Sequence, residues 1–378
     1  MKIKILHILE AFVGGTRRHV CDLLLNLPHS EYEQELACSI LREESCAVHV
    51  KQLEEKGIKV HILPMQRQIS PLSDFFSLLK LTSIIKKNDY QIIHTHSSKA
   101  GFIGRIAAYL AGKTAVIHTP HVFPFQMQCH PFLRFFYVHL EKFASNFCKL
   151  IICVSEEEKK SALKNKVTSE NKLLIIPNGI ALSHQTGQSP TQIRSTLNIP
   201  NGGLLIGSVG RLSIQKGHIF LLEAIRILSS RFPLMRCLIA GNGELKEELI
   251  KKTYEFSIAD KIIFSGHLYN IEDYYDAFDL AVFPSLWEGL PYAMLEAMRA
   301  GKAIVGSDVG GLGDTIRKEH IGMAVPPADP NALAEAITLM LVNHSHRNKC
   351  AENAFKAVKN YSIDKMIKEI ETVYHKII

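Results

Sequence analysis

No run of 18 or more uncharged apolar residues occurs in this 378-residue chain, which excludes a membrane-spanning helix. Glycine and proline are sparse, with 23 and 15 residues, too few for a collagen-like fibre or a low-complexity linker. Charged residues make up 21% against 47% apolar, a balance that excludes a disordered chain. The eight cysteines form no C-x-x-C pair and no zinc-like spacing, so they read as small buried hydrophobes of a reducing cytoplasm. No export signal is legible. His7 and Glu10 interrupt the apolar run of MKIKILHILE, and no small-residue cleavage site follows cleanly. That opening reads instead as a first buried strand.

At about 150 residues per domain, the length implies two domains, each large enough for a real core. Net charge is +7 and unevenly placed: residues 1–181 hold 23 Lys/Arg and 16 Asp/Glu, whereas residues 182–378 hold 21 of each. A basic first half suits an anionic surface or substrate, membrane phospholipid or nucleic acid among them, or serves solubility alone. No nucleic-acid-binding motif accompanies the charge, so a nucleic-acid partner is not expected.

Short β-branched runs alternate with longer amphipathic stretches throughout. The strands expected in the first half are IKILHIL, ELACSI, KVHIL, QIIHTH, AVIHT, LIICVS and KLLIIP; those in the second are LLIGSVG, RCLIAG, KIIFSG, LAVFP and AIVGS. Near-continuous apolar strands separated by helical patterns imply parallel sheets covered on both faces. The fold class expected is therefore α/β, with two Rossmann-like doubly wound domains facing across a cleft. The first spans residues 1–181 and the second 182–361, with a C-terminal helix, about 362–378, crossing back to the first. The stretch PNGIALSHQTGQSP (177–190) is rich in Pro, Gly, Ser and Gln and reads as the linker.

Ligands of open α/β sheets bind beyond the carboxyl ends of the strands, so the loops there are the ones to inspect. After LLIGSVG comes GRLSIQKG, with Arg211 and Lys216 on one loop. It is neither a P-loop nor the dinucleotide pattern. An Arg fork and a mobile Lys charge suit a pyrophosphate; a solvated surface loop is the alternative. After LAVFPS comes EGLPYAMLEAMRAG, where Pro291 suits a first helical position and Gly301 a stop. Glu288 then precedes the helix, and Glu296 lies roughly 7–8 Å further along it. Each carboxylate could accept hydrogen bonds from a vicinal diol, and the amides of Gly289 and Leu290 would face an anion. Pairing with the helix dipole is the alternative for Glu288, and an exposed helix face the alternative for Glu296.

The E-x(7)-E spacing of Glu288 and Glu296, with GRLSIQKG upstream and GGTRRH near the N-terminus, resembles the retaining GT-B glycosyltransferases of family 4. IPNGI, AGNGELKEEL and AMRAGKAIVGSDVGG share the likeness, which covers nearly the whole chain. The resemblance implies that Arg211 and Lys216 bind the donor diphosphate and that Glu296 holds ribose hydroxyls. Glu288 would hold hydroxyls of the transferred sugar, with the Gly289 and Leu290 amides beside it. Gly14 and Gly15 would form the opposing loop, His121 would be the active-site histidine, and Gly266 and His267 would border the base. One departure is Ala181, where the family usually carries an acid.

The implied reaction is transfer from a nucleotide-diphosphate sugar, expected to be a UDP-sugar, to a glycan or lipid-linked acceptor with retention of configuration. Surface polysaccharide or glycolipid synthesis is the expected setting. A sugar-nucleotide 2-epimerase and a non-catalytic nucleotide-sugar- or glycan-binding protein are the competing readings. No Asp-x-Asp occurs, so neither a metal nor another cofactor is expected, and fixed cations would stabilise the departing diphosphate. His94 and His96 share one strand face and, with His118 and His121, invite a metal reading. No third ligand or carboxylate stands at a sensible spacing, which favours cleft-lining or core histidines. In PFLRFFYVHLEKFASNFCK, Phe132, Phe136, Leu140, Phe143 and Phe147 fall at helical spacing and predict a core face. Phe135, Val138 and Lys142 would lie on another side. The same stretch, with the basic first half, fits contact with an anionic membrane surface, so the expected location is cytoplasmic and peripheral on the inner face of the cell membrane.

Overall fold

The computed structural model describes every residue except 1, 44, 67, 184–186 and 269. Part of the expected linker, residues 184–186, therefore lies outside the described residues. The chain divides into two compact units, Met1–Pro177 with Asp364–Ile378, and Asn178–Ile363.

In the first unit the chain runs β1 (Ile3–Leu9), α1 (Gly14–Asn26), β2 (Tyr32–Cys38), α2 (Ser45–Glu55), β3 (Lys59–Ile62), α3 (Pro71–Lys87) and β4 (Ile92–His96). It continues through α4 (Ser98–Leu110), β5 (Val116–Thr119), α5 (Pro131–Ser145), β6 (Leu150–Cys153), α6 (Glu156–Lys164) and β7 (Leu173–Ile175). The second unit holds α7 (Pro190–Thr196), β8 (Leu205–Val209), α8 (His218–Leu228), β9 (Arg236–Ala240), α9 (Lys246–Glu255), β10 (Ile262–Gly266) and α10 (Ile271–Ala277). There follow β11 (Leu280–Phe283), α11 (Tyr292–Arg299), β12 (Ile304–Ser307), α12 (Gly310–Glu319), β13 (Gly322–Val325), α13 (Pro330–Val342) and α14 (His344–Ala357); α15 (Ile363–Ile377) then leads into the first unit. The long C-terminal helical pattern does break near residue 360, at a 3₁₀ turn, Val358–Tyr361.

Both sheets are parallel and doubly wound, in the orders β3-β2-β1-β4-β5-β6-β7 and β10-β9-β8-β11-β12-β13. All twelve expected strands form. A thirteenth, β13, was missed because it is a four-residue edge strand opening on glycine, with too little apolar run to signal itself. Right-handed crossovers dictate where the helices go. From β1 to β3 the chain steps one way across the sheet, so α1 and α2 cover one face, where Val20, Leu24, Cys46, Val50 and Leu53 join one core. From β3 to β7 it steps the other way, and α3 to α6 cover the opposite face through Leu81, Ile85, Ala100, Ala107, Val138 and Ala162.

Two expectations fail for physical reasons. The linker's first part is packed: Ile180 is buried and bridges Ser362, and Asn178 donates to the Leu290 carbonyl at 2.8 Å. At Ala181, Arg299 reaches the backbone carbonyl at 3.0 Å, so the contact needs no side chain there. The second failure is α5, which does not bury its aromatic stripe. It buries Val138, Glu141, Ala144 and Ser145, and leaves Phe132, Phe135, Phe136 and Phe143 exposed. The small residues let α5 lie close to α4, and the buried Arg105 guanidinium of α4 donates to Glu141 Oε2 at 2.8 Å and to the Gly101 carbonyl at 2.8 Å.

Removing one half of that buried pair strands the other charge. Arg105→Met should lower stability by about 3–5 kcal/mol in urea unfolding, and the double variant Arg105→Met/Glu141→Leu should recover most of the loss. Equal losses in the single and double variants would show that the pair is not what joins the two helices.

Candidate functional site

In each sheet the chain winds outward from one central strand pair, β1/β4 in the first unit and β8/β11 in the second. At such a switch point the two following loops run apart to opposite faces, leaving a crevice beyond the strand ends. Every site residue expected from the sequence lies at a strand's last residue, as Gly266 does, on the loop or helix start that follows a strand, or one helical turn beyond.

In the second unit the loop after β8 makes a 3₁₀ turn, Ile214–Lys216, and enters α8 through Gly217. Gly217 has φ +62°, and a Cβ there would meet the Pro284 carbonyl oxygen at 2.1 Å, so glycine alone lets this loop lie against the one after β11. That approach brings Lys216 Nζ into an ion pair with Glu288 Oε1. Ser285 Oγ also donates to Oε1, at 2.9 Å, and Gln215 Nε2 to Oε2, at 3.4 Å. Glu288 is buried, as is Glu296, and a buried carboxylate is tolerated only with such partners. From β12, Gly310 closes over the same segment, where a Cβ would sit 1.8 Å from the Glu288 carbonyl oxygen.

Helix α11 starts at Tyr292 with Pro291 as its cap, one residue later than expected. Glu296 is on its buried face, where Tyr275 Oη donates to Oε2 at 3.2 Å. Leu290 is buried and Gly289 half-buried ahead of the helix. Gly266 lies beside the loop after β9, its carbonyl accepting from the Gly241 amide at 2.8 Å, while His267 is exposed. The pairing of Arg211 with Lys216 on one anion is not preformed. Arg211 Nε instead contacts Glu244 Oε2 at 3.2 Å, and Lys216 turns to Glu288. Sequence reasoning missed Gln215 and Tyr275, whose contacts join segments far apart in the chain, and Ser285, which meets Glu288 three residues on in the same loop.

In the first unit Gly14 and Gly15 open α1, whose cap position Val13 offers no side-chain bond and whose first turn carries no acid. Backbone N–H groups therefore head this helix unopposed by negative charge. After β4 and β5 the backbone is strained: Ser97, His121 and Val122 have φ of 62°, 54° and 95°. For a β-branched valine this is a true outlier, of the kind that gathers at functional sites and persists only where neighbours impose it. What imposes it here is Glu158, buried on α6, whose two oxygens accept from the Val122 and Val154 amides at 2.7 Å each. In the sequence Glu158 reads as a helix-capping residue three positions after Ser155; nothing there points to Val122.

His94 and His96 do share a face, and the fold adds the third ligand the sequence did not offer. The ring nitrogens of His7, His94 and His96, and those of His19, His96 and His121, lie within 4.8 Å of one another. Both ring nitrogens of His7, His94 and His96 are committed to protein partners. His94 binds Tyr374 Oη at 2.8 Å and Thr119 Oγ1 at 2.9 Å, and His118 Nδ1 meets Thr95 Oγ1 at 3.0 Å on the other face. The rest form a chain. Gln34 donates its NH₂ to the Leu24 carbonyl at 3.2 Å, so its carbonyl oxygen faces His7 Nε2 at 3.1 Å and requires a proton on that nitrogen. His7 Nδ1 must then accept from His96 Nε2 at 3.2 Å, and His96 Nδ1 from His121 Nε2 at 3.3 Å. His121 is left with its lone pair on Nδ1. The rings stay neutral, because burial pushes His7 down to about 4 and, with the neighbouring rings, holds His94, His96 and His121 well below the usual imidazole range.

The comparisons cover both units. The family model described as Glycosyltransferase Family 4 matches residues 13–184, and that described as Glycosyl transferases group 1 matches residues 190–357. A UDP-Gal:alpha-D-GlcNAc-diphosphoundecaprenol alpha-1,3-galactosyltransferase of Escherichia coli is 30% identical over 97% of this chain and 96% of its own. The chain belongs to glycosyltransferase family 4. Its sequence is also 26% identical to the capsular polysaccharide biosynthesis glycosyltransferase CapM of Staphylococcus aureus, over 89% of this chain and 91% of that one. In fold, the transferase matches Anabaena Alr3699/HepE in complex with UDP and glucose, with a TM-score of 0.82, 18% identity, and 99% and 100% of the two chains covered.

Two measurements check this geometry. Long-range ¹H–¹⁵N correlation spectra should show His121 protonated on Nε2, and Gln34→Leu, which removes the acceptor for His7, should mix the two tautomers. An Nδ1-protonated ring in the wild type would break the chain as described. Burial lifts the Glu158 carboxyl to about 7. Because the folded pKa lies above the unfolded one, its contribution is full below about pH 4.3 and is lost as pH rises through the folded value. Urea midpoints should therefore fall between about pH 5 and pH 8, and Glu158→Gln should lack that part of the fall. Parallel pH profiles would contradict the assignment.

Proposed function

We propose that this glycosyltransferase moves a sugar from a UDP-sugar to a lipid-linked glycan acceptor during surface polysaccharide assembly, at the cytoplasmic side of a membrane. The observation that carries the reading is the Lys216–Glu288 contact at the β8/β11 switch point, directly ahead of a helix start. One cation and one carboxylate stand there together, which suits a donor with an anionic leaving group on one side and sugar hydroxyls on the other. The acceptor class rests on the Escherichia coli relative, whose name specifies a diphosphoundecaprenol-linked sugar. The uridine nucleotide rests on that name and on the UDP complexes of the fold relative.

In this mechanism Lys216 and Arg211 leave Glu288 and Glu244 to neutralise the diphosphate. Glu288 accepts hydroxyls of the transferred sugar, with the Gly289 and Leu290 amides beside it, and Glu296 accepts the ribose hydroxyls. Gly266 and His267 border the base. In the first unit, the backbone N–H groups at Gly14 and Gly15 suit an anion, and His121 Nδ1 suits a hydroxyl donor. The bond from the anomeric carbon to the β-phosphate oxygen breaks with its electron pair going to the diphosphate. The acceptor oxygen attacks from the same face and gives its proton to the departing phosphate oxygen, so configuration is retained. Fixed cations provide the electrostatic stabilisation, and no metal is invoked.

Product anomeric configuration, read by NMR on a UDP-sugar and a diphospholipid-sugar acceptor with chelator present, tests the proposal. A retained anomer and undiminished turnover are expected; an inverted product, or loss of turnover on chelation, overturns the mechanism. Consumption of donor without acceptor would favour the epimerase instead. Glu296→Ala should weaken donor binding by about 1.5–3 kcal/mol, and unchanged affinity would remove the ribose assignment.

A further inference from the structure

The exposed aromatic stripe of α5 has a counterpart two helices away. On α3, Leu72, Phe75, Phe76 and Leu79 follow the i, i+3, i+4, i+7 spacing of one face, and all are exposed, Leu72 at 76%. On α5, Phe132 is exposed at 72% and Phe135 at 63%, with Leu133, Phe136 and Phe143 also outward. Because α3, α4 and α5 cover the same face of the first sheet, with Phe102 and Tyr109 of α4 in tilted ring contacts with Phe143 and Phe147 at 6.4 and 4.9 Å, these side chains stud one helical layer. An apolar groove of about 740 Å³ adjoins it, lined by Leu41, Ile62, Leu63, Pro64, Phe76 and Leu79 among others. Exposed apolar surface on this scale marks an interaction site.

Charge says what the partner is. Residues 91–155 carry six Lys/Arg and a single acid, Glu141, and that acid is buried against Arg105. On α3 the lone acid, Asp74, is paired with Lys99 at 2.8 Å, while Lys80, Lys86 and Lys87 are exposed. The layer thus combines outward aromatics with cations and shows no free carboxylate on α4 or α5. A protein partner of mixed charge would not need that bias; an anionic lipid surface does. Among the described residues no helix is long and apolar enough to cross a membrane, so contact would be from one side.

We propose that the α3–α4–α5 layer is a docking face for an anionic phospholipid bilayer, with Phe75, Phe132 and Phe135 inserting among the lipids and Arg134 and Lys142 meeting the headgroups. This deepens the reading of a lipid-linked acceptor and rests on it for its purpose, though not for its observations.

Co-sedimentation of the full chain with mixed phosphatidylglycerol–phosphatidylcholine vesicles and with pure phosphatidylcholine vesicles tests it. The wild type should partition onto the anionic vesicles and much less onto the neutral ones, with salt weakening the binding. Leu72→Ser/Phe75→Ser and Phe132→Ser/Phe135→Ser should each reduce partitioning by about tenfold or more. Tyr254→Ser, an equally exposed aromatic of the other unit at 71%, should leave it unchanged. A wild type that stays in the supernatant, variants that bind as well as it does, or a wild-type dimer dissolved by the same substitutions would each overturn the proposal. UDP affinity read in parallel separates the two readings: its loss with partitioning intact would count against the proposed function alone.

Discussion

The handedness of the strand–helix–strand crossover is the constraint from which most of this molecule follows. Parallel strands joined by right-handed crossovers place each helix on a face set by the direction in which the chain steps across the sheet. One reversal of that direction occurs in each unit, at β1/β4 and at β8/β11. Each reversal opens a crevice in its own unit, beside which lie Gly14 in the first and Lys216 and Glu288 in the second. In the first unit it also sends α3 to α6 to one face together, which is why two helices 60 residues apart at their starts, Pro71 and Pro131, can share a surface property. Site and docking face are two consequences of one topological rule.

A second theme is the pairing of buried charge. Glu288, Glu296, Glu158 and Glu141 are each less than a tenth exposed, and each is held by a named donor: Lys216, Tyr275, two backbone amides and Arg105, respectively. Desolvation makes an unpartnered carboxylate in such places prohibitive, so the contacts are obligatory. They differ in what they fix. Arg105–Glu141 joins two helices, whereas Glu158 imposes an unfavourable backbone at Val122 and so orients the adjacent His121. The Gln34–His7–His96–His121 chain adds a constraint of another kind, because an amide that can face only one way propagates its polarity through three neutral rings.

What the amino-acid order by itself determined is the alternation of apolar strands with amphipathic helices, the doubling of the fold, the loops after β8 and β11, and the family. These are local patterns, legible because strand runs, glycine turns and helix starts are written in neighbouring residues. Tertiary structure alone decided which partner each charge takes. Arg211 and Lys216 are five residues apart, yet turn to Glu244 and Glu288, and His7 and His19 join His96 from other elements. It also decided which face of α5 is buried. The periodicity of Phe132, Phe136 and Phe143 announces an apolar stripe but not its direction, and the opposite face holds the small residues and the buried carboxylate that fit against α4. Spacing along a chain specifies which side chains share a face; only packing against a neighbour, where volume and charge must be satisfied at once, specifies which face turns inward.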